Sequence, residues 1–359
     1  MNRTLARISM FLGAAATTAA AQPGVYSASA EKDAWTYPPV GSGFSQVAPV
    51  FGSPIGVPAD PDRLGYYYVA FDLNSQVDLL QGPYDIASIT VTTYLLNSST
   101  FSGTNGVFYD DSYDSFITYD GTLTDTDPGR PIELYAAMYN NGLSALTWNE
   151  FLTPVFQNGL YNVEPVDIDP ITKMPRSVQS NVDDGFDARP LAVATTTDTY
   201  VGSGNTFRIA DGAELTFTLD LTDPDLRQLL ADELNADGTL SFAISSLHAA
   251  GFMGQVGDDI WPRLGTRESF GLPDPSIEVV LTAGPVACSL ADVTSTGTAN
   301  GVPDGTVDLS DFSFYLSLWS AGDAQADVTT TGTADGVPDG SVDLSDFSFY
   351  LSLWSAGCP

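Results

Sequence analysis

Basic side chains are scarce in this 359-residue chain: 12 Lys and Arg stand against 45 Asp and Glu, with a single His, for a formal charge of −33. Without a basic face a protein neither neutralises nucleic-acid phosphates nor docks on anionic lipid, so both partner classes are excluded. Cysteine is rarer still, with Cys288 and Cys358 alone. Two thiols and one distant His are too few for a structural zinc site. No apolar run reaches the roughly 20 residues that a membrane-spanning helix needs, and no membrane span is expected. Gly-x-Ser-x-Gly elbows, His-Glu-x-x-His pairs and phosphate-cradling glycine loops are also missing. What is plentiful is apolar and aromatic content, 43% and 11%, enough for packed cores rather than a disordered chain. An acidic globular protein remains, with a surface that concentrates cations, calcium included.

The first 21 residues have the form of a secretory signal. Arg3 and Arg7 make a positive start, Ile8 to Ala16 a short apolar stretch, and Ala19-Ala20-Ala21 a small-residue cleavage site before Gln22. Export to an oxidising compartment is expected, where Cys288 and Cys358 can pair.

The C-terminal region is an internal repeat. Residues 292–322 recur as 327–357 with three differences: Ser295/Thr330, Asn300/Asp335 and Thr306/Ser341. Residues 288–359 hold ten Asp and no Lys, Arg, His or Glu, an abrupt change that places a boundary near Thr282-Ala283-Gly284-Pro285. Each repeat contains Asp-Gly-x-Val-Asp-x-x-Asp: Asp304 to Asp311, and Asp339 to Asp346. The string matches positions 5 to 12 of a calcium loop. There Asp304, Asp308 and Asp311, like Asp339, Asp343 and Asp346, supply carboxylates, and Thr306 and Ser341 stand at the backbone-carbonyl position. Position 1 is either Asp292 across an inserted loop or Asn300 without insertion; in the second repeat it is Asp327 or Asp335. Without insertion, position 3 is Val302 or Val337, which lacks a side-chain oxygen. Clustered carboxylates repel unless a cation neutralises them. The plainer reading, acidic surface turns, accounts for Asp-Gly pairs but not for their tandem spacing.

After each loop, Phe312, Tyr315, Leu316 and Trp319 fall on one face of a helix beginning near Asp311, and Phe347, Tyr350, Leu351 and Trp354 repeat the pattern. Each unit is then a metal loop feeding an amphipathic helix.

These residues resemble a dockerin, the duplicated calcium-loop-and-helix module with which secreted bacterial proteins dock onto cohesin modules of a scaffold. The likeness is to GC-type dockerins, which begin near a Cys and end Gly-Cys-Pro, here Gly357-Cys358-Pro359. The resemblance covers about 70 residues. It departs from the usual loop, which opens Asp-Val-Asn-Gly-Asp-Gly, by nine residues between Asp292-Val293-Thr294 and Asp304-Gly305. It implies Ca2+ as the ion, a cohesin-like scaffold as partner, and Leu309-Ser310 and Leu344-Ser345 as partner-facing residues; core packing is the alternative for the leucines. Cys288 and Cys358 flank the repeats, so a disulfide between them would clasp the module's ends, worth roughly 4 kcal/mol in the chain-entropy model. Intermolecular pairing or free thiols are the alternatives.

The chain before the repeats is rich in Gly, Pro, Tyr and Thr. Strand composition marks Tyr66–Leu73, Ile89–Leu96, Ile132–Met138, Glu214–Leu221, Thr239–Ser245 and Ser276–Leu281. One helix is expected over Asp225–Leu234, capped by Thr222 or Asp223, and the polar stretch from about Asn162 to Pro190 reads as a long loop. The fold class is mainly β: a jelly-roll-like β-sandwich over residues 22–285 followed by a small α-helical dockerin-like module over 286–359. Ser27 to Trp35, Tyr68 to Leu73, Phe217 to Thr222, Arg267-Glu268-Ser269 and Pro275 to Leu281 resemble, in order, DNRLRE-type sandwich domains of secreted bacterial proteins. That family is related to carbohydrate-binding jelly rolls, which implies a polysaccharide or cell-surface glycan as ligand. Aromatics that could stack on sugar rings are Trp35, Tyr109, Tyr113 and Trp148. Core or rim packing is the alternative for each. Carboxylates such as Glu150, Glu164 and Glu268 keep open a second reading, a carbohydrase. The lone His248 is expected to be structural. A third reading is a structural surface protein without a partner.

Overall fold

The computed structural model describes residues 23–37, 40–42, 45–52, 63–79, 83–96, 107–108, 131–150, 162–201, 207–248, 261–284, 288–294, 301, 303, 305–334 and 336–358. The signal-like segment 1–21 lies outside them. The fold is mainly β, and its sheets are antiparallel.

A four-stranded sheet runs in the order Gly24–Ser29, Ser276–Ala283, Tyr84–Tyr94, Glu214–Thr218. The first and last strands of the body are therefore partners. A nine-stranded sheet has the main path Pro175–Ser177, Val163–Ile168, Ile132–Tyr139, Thr239–Ser246, Arg63–Asp72, Lys32–Tyr37, Val40–Ser42. The two sheets share one core. Val91, Leu215, Phe217, Ile277 and Val279 enter it from the smaller sheet, and Tyr67, Val69, Phe71, Leu134 and Phe242 from the larger.

The alternation in Glu214-Leu215-Thr216-Phe217-Thr218 puts two side chains in that core and the others outward. The central strand Arg63–Asp72 behaves differently, being buried on both faces along nearly its whole length. Its Tyr67, Val69 and Phe71 join the main core, while Tyr66 and Tyr68 pack on the other face with Ala34, Trp148 and Ala243. This explains why the run Tyr-Tyr-Tyr-Val-Ala-Phe is apolar throughout.

Helix α1 (Pro224–Asp237) starts where Pro224 is tolerated, with the Asp223 carboxylate accepting the Asp225 N–H at 3.0 Å. It ends at Gly238, whose φ of 73° suits glycine. Leu226, Leu230, Ala231 and Leu234 fix it on the main core.

The expected loop over 162–190 is corrected: Val163–Ile168 and Pro175–Ser177 form a hairpin, and the first of these pairs with Ile132–Tyr139. Pro165 obscured the strand. It sits one residue ahead of the Val166–Ile168 pairing with Ser177–Pro175, at the end of that ladder, where its carbonyl still accepts the Val178 N–H at 3.0 Å and only the return bond is missing.

In the C-terminal region two 13-residue helices, α2 (Leu309–Ala321) and α3 (Leu344–Ala356), follow the two acidic loops. They bury an aromatic seam. Tyr315 and Tyr350 stack with parallel rings 3.6 Å apart, and Phe312 meets Trp354 at 5.4 Å as Trp319 meets Phe347 at 5.1 Å. Such aromatic pairs add about 0.5–1.5 kcal/mol each beyond area burial. The buried face differs from the one expected: Leu316 is exposed, and Leu318 and Leu353 pack on the seam instead. Among the described residues no helix is long and apolar enough to cross a membrane.

Candidate metal centre

Both helices begin one turn-fraction earlier than expected, for a reason visible in the acids. Asp308 and Asp343 are N-caps, accepting the N–H of Ser310 and Ser345 at 2.6 Å each. Asp311 and Asp346 stand at the third helical position and reach back to the N–H of Asp308 and Asp343 at 2.8 Å each. This is a capping box with Asp in place of the usual Glu or Gln.

The same two carboxylates organise the loops. Asp311 Oδ1 accepts the N–H of Val293 (2.8 Å) and Thr294 (2.9 Å), and Asp346 Oδ1 those of Val328 and Thr329 (2.9 Å each). Each is fully buried and holds the loop's start against the helix N-terminus, where a negative charge is favoured. At the loop's other end, Asp292 Oδ2 accepts the Gly305 N–H at 2.9 Å, and Asp327 accepts those of Asp339 (3.1 Å) and Gly340 (2.5 Å). Asp292 and Asp327 therefore reach the Asp-Gly turn across the inserted residues. Asn300, Asp335 and Asp304 lie outside the described residues.

Repeat two also shows how its outer acids are held. Thr331 donates its N–H to Asp339 Oδ2 (2.7 Å) and its hydroxyl to Asp343 Oδ2 (2.9 Å), so one threonine joins two exposed-side carboxylates. The Thr331 N–H keeps Asp339 below the ordinary carboxylate range, and the Ser345 N–H, then the Thr331 hydroxyl, do so for Asp343. Both stay ionised. Ser341 donates its N–H to Asp339 Oδ1 at 3.0 Å, and Thr306 is exposed.

Thr331 was not singled out from the sequence, nor were Thr294 and Thr329, whose buried hydroxyl oxygens accept the N–H of Gly301 (3.2 Å) and Gly336 (3.3 Å). The signal was present in the recurrence of Asp-Val-Thr at the head of both repeats. The tryptophans also do more than pack. Trp319 Nε1 donates to the Asp343 carbonyl and Trp354 Nε1 to the Asp308 carbonyl, at 2.7 Å each, so each helix supports the other repeat's loop. With Tyr315 and Tyr350 donating to the carbonyls of Ala326 (3.0 Å) and Ala291 (3.1 Å), the contacts are reciprocal, as in a two-fold pair.

The donors are all hard oxygens, the choice of calcium or magnesium rather than of a soft metal. No basic side chain competes for them in residues 288–359. The donor chemistry fits a hard cation. The carboxylates are at present turned onto N–H groups, and among the described residues the one tight group of three ligand atoms is Cys288, Asp292 and Cys358. Those cysteines are joined, with Cα atoms 5.3 Å apart. Leu309 and Leu344 are 69% and 67% exposed, at the same place in each repeat, which removes core packing as their role. Ser310 and Ser345 follow them, and Ser345 Oγ accepts the Gly332 N–H at 2.8 Å.

The aromatic residues expected to meet sugars fare differently. Tyr109 and Tyr113 lie outside the described residues. Trp148 is corrected: at 3% exposure it is core, packed against Tyr139, and it presents no face to a ligand. Trp35 is half-buried, with its indole N–H donated to the Pro49 carbonyl at 2.7 Å. A concavity of about 500 Å³ lies instead on the outer face of the smaller sheet. Two rungs of oxygen-bearing side chains cross its strands in register, Ser29, Ser276, Thr92, Thr216 and Ser27, Glu278, Thr90, Thr218.

Of the acids considered for catalysis, Glu150 accepts the Asp33 N–H (3.0 Å) and pairs with Arg267 (3.4 Å). Arg267 thus pairs with Glu150 rather than with its neighbour Glu268. His248 is buried beside Ser246 Oγ, 2.5 Å from Nδ1. No protein-family model matches the chain, and no curated protein matches it.

Proposed function

We propose that residues 286–359 are a calcium-dependent docking module of the dockerin kind, carried by an exported protein whose body is a jelly-roll-like β-sandwich with a glycan-binding face. The observation that carries this reading is the duplication of an acidic loop, free of basic residues, that opens each time onto a helix with an exposed leucine at its first position. Calcium supplies the positive charge and the demand for six to eight oxygens that such loops lack within their own chain. Asp292, Asp304, Asp308 and Asp311, and their counterparts Asp327, Asp339, Asp343 and Asp346, would hold it.

The partner is a cohesin-like scaffold module that covers Leu309 and Leu344 and their serines. An apolar centre with a polar surround is the form such contacts take. In the body, the hydroxyl groups of the rungs and the Glu278 carboxylate supply hydrogen bonds along a shallow groove open to an extended chain, and the groove carries no base to demand an anionic ligand. A neutral polysaccharide or surface glycan suits it.

Two measurements test the proposal. Binding of the full chain to a panel of cohesin-type modules is expected in calcium and is lost in chelator; paired Leu309→Asp and Leu344→Asp changes abolish it without unfolding the chain. Binding that ignores both calcium and the leucines would remove the docking reading. Affinity electrophoresis through soluble polysaccharides is expected to retard the wild type more than a Thr90→Ala/Thr92→Ala variant. Sugar release during that assay would turn the body from a binder into a carbohydrase.

A further inference from the structure

The 35-residue offset places Cys358 on Asp323, and it also places Asp323 on Cys288. The one residue Asp323, between the repeats, therefore corresponds both to Cys288, ahead of repeat one, and to Cys358, after repeat two. Asp323 links the end of α2 to the second loop through the main chain. Cys358, after α3, and Cys288, before the first loop, make the equivalent link through a disulfide. The two repeats are thereby closed into a ring, with one joint of peptide and one of sulfur.

The joints differ in what they touch. The Asp323 N–H donates to the Leu318 carbonyl of the helix it follows, at 3.0 Å. The Cys288 N–H donates instead to Asp292 Oδ2 at 2.9 Å, the oxygen that also accepts the Gly305 N–H. Cys358 Sγ lies 3.2 Å from the Gly305 carbonyl oxygen. The disulfide thus bears on the first loop from both sides, through the carboxylate of Asp292 and through the Asp-Gly turn. Asp327, the counterpart of Asp292, takes the N–H groups of its own turn while its joint to the preceding helix is main chain.

We propose that the Cys288–Cys358 disulfide is a redox control on the cation loop of repeat one and leaves that of repeat two unaffected. The proposal rests on the reading of both loops as cation sites. The reductant is a dithiol. Its thiolate attacks the exposed Cys358 sulfur, a mixed disulfide forms, and the reductant's second thiol displaces Cys358 as it closes its own ring. Two electrons and two protons pass to the cysteines, leaving two thiols and a cyclic disulfide. Reduction frees Cys358 and the end of α3 from Cys288, so Asp292 and Gly305 lose their fixed neighbours. The peptide joint at Asp323 survives.

The experiment uses the intact chain, oxidised and then reduced with a dithiol, with a Cys288→Ser/Cys358→Ser variant as the permanently open form. Amide exchange at Gly305 and Gly340 is read without calcium, and calcium binding is titrated calorimetrically in each state. The proposal expects two calcium sites when oxidised. On reduction one site weakens on the order of tenfold or more, in step with faster exchange at Gly305, while Gly340 and the second site hold. Reoxidation restores the first site, and the variant matches the reduced form. Equal weakening of both sites, or no change in either, overturns the proposal while leaving the cation reading intact. No calcium uptake by the oxidised chain overturns both.

Discussion

The body and the C-terminal repeats bury carboxylates in opposite ways. In the body three of the four buried acids among the described residues meet a guanidinium: Glu133 with Arg63, Asp167 with Arg176 at 2.8 Å, Glu150 with Arg267 at 3.4 Å. In the repeats Asp292, Asp311 and Asp346 are as deeply buried, yet residues 288–359 contain no base at all. Backbone N–H groups do part of that work, and hydrogen bonds to an anion do not cancel its charge. On the proposed reading, a region that buries carboxylates without bringing its own cations takes them from solution. Most buried acids of the body bring their own cation, and those of the repeats do not.

The comparison breaks most visibly at Arg63. Its guanidinium is buried, bonds Asn181 Oδ1 at 3.0 Å, and is held protonated by Glu133 against the cost of burial. Arg63→Met leaves Glu133 without its cation, and denaturant unfolding is expected to show a loss of about 3–5 kcal/mol that calcium does not repair. Chelation is the matching challenge to the repeats. Single-site linkage gives about 2.7 kcal/mol of stabilisation at free calcium 100 times the dissociation constant. Amide exchange is expected to rise on chelation in residues 288–358 and stay constant in the two large sheets.

How much of this could be read beforehand follows from where the physics is local. The tandem loops, the aromatic helices and the α1 cap are written in short-range spacing, and six strand segments in composition. The hairpin at 163–177 was hidden by Pro165, because strand pairing depends on which neighbour lies on which side. Trp148 was placed on a loop correctly but in the wrong environment, since its burial depends on Tyr66, Tyr68 and Ala243, all distant in the chain. Thr331 bridges Asp339 and Asp343 only once the inserted residues fold back, which spacing alone does not specify.

Asp33 sharpens the comparison as a body carboxyl without a guanidinium. It accepts the Tyr67 hydroxyl at 2.6 Å and the Arg267 N–H at 2.8 Å, but burial pushes its carboxyl up to about 6. A carboxyl with a folded pKa above its unfolded value binds protons more tightly when folded. Its contribution therefore favours folding below the unfolded value near 4 and is lost as pH rises through about 6. Asp33→Asn keeps both accepted bonds and removes the charge, so it is expected to stabilise the protein at pH 7 by about 2 kcal/mol and to make no difference at pH 3.5. Thermal melts across that range check it. The smallest effect belongs to the exposed leucines. Leu309→Ala and Leu344→Ala are each expected to change stability by less than about 0.5 kcal/mol, while weakening attachment to a cohesin-type partner.

The central claim is that the repeats are completed by a cation, and calcium titration calorimetry on the intact oxidised chain tests it most directly. Two saturable binding events, with a rise in the melting of residues 288–358, are the predicted result. A flat titration with identical melts in calcium and in chelator would contradict it, and would leave the buried carboxylates of the repeats balanced by backbone N–H groups alone.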